Sequence, residues 1–108
     1  MNICTINIAE KDYDLCLTRE AIKIIESKGF NIQNFINRPV SMTELLWFGG
    51  FIAKHSDVNQ NLATKLLDTY QNEGGDVNEV VEFLAEEYSN FVNAPADIAV
   101  KKAKIVKA

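Results

Sequence analysis

The 108-residue chain has one histidine, two cysteines, two prolines and one tryptophan. One histidine with no cysteine near it gives no metal-ligand spacing, because a metal site wants several ligands at set intervals. Two cysteines are too few for a disulfide scaffold, and a reduced, cytoplasmic setting is expected. Two prolines and five glycines exclude collagen-like and proline-rich classes. No apolar run approaches the ~18 residues that suggest a membrane span. The opening MNICTINIAEKD has neither a basic start nor a long apolar stretch, so no secretory signal is read there.

Basic charge is also scarce. Eleven basic and fifteen acidic side chains give a net charge of −4, whereas a nucleic-acid binder carries a basic footprint. No nucleic acid and no membrane is therefore expected as partner. The charge is uneven. Residues 94–108 hold Lys101, Lys102, Lys104 and Lys107 against Asp97, four against one, leaving +3. The other residues hold seven basic and fourteen acidic groups, leaving −7.

What is present is ordinary globular material, with 47% apolar and 24% charged residues. Residues 2–8 and 13–17 both alternate with period two, around the polar Ala9-Glu10-Lys11-Asp12. The expected β-hairpin sets Ile8 against Tyr13, Ile6 against Leu15 and Cys4 against Leu17, with one apolar face. Cys4 then lies on the apolar face and Cys16 opposite it, which forbids a bridge between them. Thr18 suits an N-cap for a helix over Arg19–Lys28, with Ala21, Ile22 and Ile25 inward and Gly29 as a left-handed stop. Residues 31–37 read as a short helix or turn, broken at Arg38-Pro39.

Ser41 and Glu44 have capping-box spacing for a helix over about 42–54. That helix is apolar almost all round, with Gly49-Gly50 allowing close packing. The segment 59–72 is amphipathic and stops at Gly74-Gly75. Asp76 caps a last helix over about 77–92. Its seam is Val77, Val81, Leu84, Tyr88 and Phe91, with Glu79, Glu82, Glu86 and Glu87 outside and an end at Asn93-Ala94-Pro95. Alanine and lysine in the tail permit either helix or mobility. The expected fold is α+β: an N-terminal β-hairpin packed on a bundle of about four helices. Residues 1–93 form one domain and 94–108 a basic tail.

Nothing in this pattern assembles an active site, so no enzyme, cofactor or metal is expected. His55 reads as a polar helix-end residue, and the glutamates of the last helix as a solvated face. Trp47 and Phe51, four apart, lie away from the main apolar face beside Lys54. They anchor a partner, or they belong to a central helix buried on both sides.

The ordered segments KDYDLCLTREAIKIIESKG, LLWFGGFIAKH, LATKLLDTYQNEGGD and VNEVVEFLAEEYSNF resemble the tail assembly chaperones of long-tailed phages and prophages. The likeness covers residues 2–92. It departs at the hairpin turn, where many relatives have an Asn-Gly-Lys type of turn and this chain has Ala9-Glu10-Lys11-Asp12. The resemblance implies a non-enzymatic factor that binds the tape measure protein, keeps it soluble and helps recruit tail tube subunits. In many such phages a ribosomal frameshift appends a second domain that contacts the tube protein. On this reading Trp47, Phe51 and Lys54 are candidates for the partner surface, and Lys101, Lys102, Lys104 and Lys107 for tail contacts. A homo-oligomer stays open. The competing readings are another phage structural or connector protein, and a small host-directed binding module.

Overall fold

A computed structural model describes the backbone of residues 2–107 and the side chains of residues 2–92. The chain runs β1 (Cys4–Ile8), β2 (Lys11–Leu15), α1 (Arg19–Ser27), a 3₁₀ turn (Ile32–Phe35), α2 (Pro39–Ile52), α3 (Gln60–Asn72) and α4 (Val77–Lys107). The fold is α+β, a two-stranded antiparallel hairpin followed by four α-helices.

The hairpin is tighter than its sequence suggests. Ile8 pairs with Lys11, Ile6 with Tyr13 and Cys4 with Leu15, a register two residues away from the expected one. Strand side chains repeat every two residues, so a slip of two keeps every face. Ile6, Ile8, Tyr13 and Leu15 still point into the core. On the outer face the Thr5 hydroxyl donates to Asp14 at 2.7 Å and the Asn7 amide to Asp12 at 2.9 Å. The two-residue loop places Ala9 (φ 51°) and Glu10 (φ 66°) in the left-handed region, the pattern of a type I′ turn. Neither residue favours it, at a cost of about 1 kcal/mol each. The Ala9 N–H donates to the Glu73 carboxylate at 3.0 Å, fastening the turn to the end of α3. Replacing Ala9-Glu10 by Asn-Gly keeps that N–H and removes the strain. It should stabilise the fold by about 1–2 kcal/mol, read as a higher urea midpoint at unchanged slope.

Alternation stops at Leu15. Cys16 and Leu17 are as fully buried as Leu15, so Cys16 does not sit on the polar face of a strand. Its N–H donates to the Gly50 carbonyl at 3.1 Å, near the end of α2, where helical carbonyls lack intrahelical partners. Thr18 caps α1 by accepting from the Ala21 N–H at 3.1 Å, and Gly29 follows the helix at φ 104°. Asn59 caps α3 through the Leu62 N–H, and Asp76 caps α4 through the Glu79 N–H.

Two helix boundaries differ from the sequence reading. The second helix starts at Pro39, three residues before the expected first turn, with no side-chain cap. Proline at the first helical position gives up no bond, because that N–H has no intrahelical partner, and its fixed φ suits the helix. Ser41 is therefore inside the helix. The last helix does not end at Asn93-Ala94-Pro95 but is continuous to Lys107. An internal proline removes one backbone bond, and Ala94, Ala96, Ala99 and Ala103 around it have the highest helix propensity. The four tail lysines lie on this extension, beyond the described side chains.

The α2 helix is central. It packs against α1, α3, α4 and β2, which is why it is apolar on every side. Glycine allows a close approach on two sides of α2. A Cβ on Gly49 would lie 3.2–3.3 Å from Ile25 and Leu17, and one on Gly50 3.0–3.1 Å from both Leu84 methyls. From α4 the inward residues are Val80, Leu84, Glu87 and Tyr88, with Val77, Val81 and Phe91 half-buried at the flanks. Glu87 is thus buried rather than solvated. Its carboxylate accepts from the Asn2 amide at 3.3 Å.

Tyr88 packs edge-on against Phe30 and donates its hydroxyl to Glu26 at 2.9 Å. Burial first, then the Glu26 carboxylate, push this phenol from its ordinary 10.0 up to about 12. The folded state therefore holds the neutral form more tightly than the unfolded chain does. That stability is fully present below pH 10 and is lost as pH rises through about 12. Burial raises Tyr70 as well. The melting temperature should fall between pH 10 and 12, and Tyr88→Phe should flatten the fall while leaving the Tyr70 share.

Candidate functional site

The aromatic pair proposed as a partner surface lies in the core. Trp47 and Phe51 are each 0% exposed, with ring centroids 5.4 Å apart. The indole N–H donates to the Ala63 carbonyl at 2.8 Å, tying α2 to α3. The Trp47 ring lies 5.8 Å from Tyr70, and Phe51 meets Tyr13 edge-on at 5.4 Å. Neither ring has surface to offer a partner in this fold. Their position opposite the first apolar stripe reflects a helix enclosed on both sides, because α1 and α3 flank α2. Lys54, beyond the end of α2, is exposed.

His55 has a structural role. Its Nε2 accepts from the Asp14 N–H at 3.1 Å. The His55 backbone N–H closes the end of α2 on the Phe51 carbonyl at 2.8 Å. The ring stacks edge-on against Tyr13 at 5.0 Å. This histidine joins the central helix to the hairpin. Burial pushes the thiols of Cys4 and Cys16 above their ordinary range, which disfavours the reactive thiolate. Among the described residues, no group of three or more His, Cys, Asp and Glu side chains is placed to hold a metal. None of the helices there is long and apolar enough to cross a membrane.

The surface features that sequence periodicity missed are apolar. Ile36 is 90% exposed and Val40 69% exposed, on either side of Arg38-Pro39, and Ile32 is partly exposed one turn earlier. Their signal in the sequence was weak, because a short irregular connection has no period to break. Val40 also borders a groove of about 470 Å³ where the starts of α2 and α4 meet α3. Its apolar floor includes Leu67 and Val77, and its rim carries Glu44, Asp68 and Asp76. No lysine or arginine lines it.

A family model covers residues 2–108, and the chain belongs to that family, a domain of unknown function, DUF5055. No curated protein and no solved structure matches the chain.

Proposed function

We propose that this DUF5055 member is a non-enzymatic tail assembly chaperone of a phage or prophage that acts in the bacterial cytoplasm. It binds the tape measure protein, keeps it soluble and assists recruitment of tail tube subunits. The resemblance of residues 2–92 to such chaperones suggests the role. The observation that carries it is the exposed apolar edge at Ile32, Ile36 and Val40. A long amphipathic helix with an unpartnered apolar face needs such an edge to cover it. Solitary apolar residues are common on protein surfaces, but Ile32, Ile36 and Val40 are three exposed apolar side chains close together in one short stretch of chain. Repeated weak contacts along a long partner hold it soluble without high affinity at any one site. With Trp47 and Phe51 in the core, the partner surface moves to this edge.

The DNA around the gene tests the reading. The expected finding is a long downstream gene for a helical, coiled-coil-rich protein, with a slippery heptamer near the codons of Lys101–Lys104 opening an overlapping frame. A lone gene with no tail genes nearby contradicts the reading and favours a host-directed binding module. Recovery of the protein from purified particles also contradicts it and favours a structural or connector component.

A further inference from the structure

The acidic groove and the basic C-terminal segment complement each other, and one chain cannot bring them together. The groove lies at the first turn of α4, with Val77 on its floor and the capping Asp76 on its rim. Lys101 follows 24 residues later in the same unbroken helix, about 36 Å along its axis at 1.5 Å per residue. We infer that the groove receives the lysine-rich C-terminal segment of a second copy of this chain.

Charge identifies the occupant. Glu44 and Asp68 face the groove from α2 and α3, with Asp76 at the mouth of α4 and no cation among the lining residues. The segment 94–108 carries +3 through Lys101, Lys102, Lys104 and Lys107 against Asp97. It also supplies Ile98, Val100, Ile105 and Val106, apolar side chains for the apolar lining that Leu67 and Val77 provide beside the exposed Val40. Two chains with their α4 helices antiparallel place each lysine segment over the partner's groove. That contact is self-complementary and closes as a two-fold dimer. Its electrostatic part weakens as salt shortens the screening length from about 10 Å at 0.1 M to about 3 Å at 1 M.

Sedimentation of the full-length chain tests the inference. The wild type is expected to show a concentration-dependent dimer that weakens at least tenfold from 0.05 to 1 M salt. The groove variant Glu44→Lys/Asp68→Lys and the tail variant Lys101→Glu/Lys104→Glu are each expected to weaken association at least tenfold. Far-UV circular dichroism should be unchanged, because Asp68 is exposed and the half-buried Glu44 faces the open groove. Mixing the two variants restores opposite charges across the contact and should restore a heterodimer. A wild type that stays monomeric to millimolar concentration overturns the inference. So does a variant that dimerises like the wild type, or a mixture no more associated than its components. Val40 is shared with the proposed tape measure edge but Ile36 does not line the groove, so loss of the dimer in these variants is read separately from loss of tape measure binding in Ile36→Glu.

Discussion

Trp47→Ala is expected to destabilise the fold by about 3–5 kcal/mol, the range for truncating a buried large aromatic. The indole is fully buried, contacts Phe51 and Tyr70, and donates to the Ala63 carbonyl. Its loss opens a cavity between α2 and α3 and removes a hydrogen bond worth about 1 kcal/mol. A domain of this size has roughly 5–15 kcal/mol in total, so the variant sits near the edge of folding. Trp47→Phe keeps most of the ring packing and loses the N–H, and should cost less than half as much. Thermal or urea denaturation of the three proteins checks the order. Should Trp47→Ala melt within a few degrees of wild type, α2 is not the centre of the core.

The second large effect is at Gly50. A single added carbon there meets both methyls of Leu84 at 3.0–3.1 Å and the Leu15 Cβ at 3.5 Å. Leu84 is itself fully buried and has no free side to move toward. Overpacking of this kind costs about 1–3 kcal/mol. Gly→Ala inside a helix returns up to about 1 kcal/mol of propensity, so Gly50→Ala should lose a net of about 0–2 kcal/mol. For Gly50→Leu the added side chain competes for the volume that Leu84 fills. The loss should exceed about 3 kcal/mol, seen as a collapsed unfolding midpoint or an insoluble product. A Gly50→Leu protein as stable as wild type would mean that α2 and α4 do not pack closely at this point.

Particular residues show what was legible in the sequence. Thr18, Gly29, Asp76 and Gly74 announced helix ends, because capping and left-handed backbone depend on residue type and local spacing. The apolar face of the hairpin was legible because parity survives a slip of two. The register was not, because Ala9-Glu10 lacks the Asn-Gly signature of the turn it adopts. Pro39 reads equally as a breaker and as a first helical residue, and tertiary packing selects the second. The aromatic pair stayed open between partner anchor and enclosed helix for a different reason. Periodicity shows which residues share a helix face, but not how many neighbours enclose the helix. The groove joins residues from three helices, a relation that no local pattern encodes.

The central claim is that the exposed edge at Ile36 keeps a long helical partner in solution. Its most direct test is the soluble fraction of a phage tape measure protein when co-expressed with this chain. Wild type should move most of that partner from pellet to supernatant. Ile36→Glu, a change at a residue that is 90% exposed, should fold normally and lower co-purification by roughly tenfold, about 1.4 kcal/mol of binding. A partner equally insoluble with and without the wild-type chain would contradict the chaperone account. A partner equally soluble with wild type and Ile36→Glu would contradict the surface assigned to it.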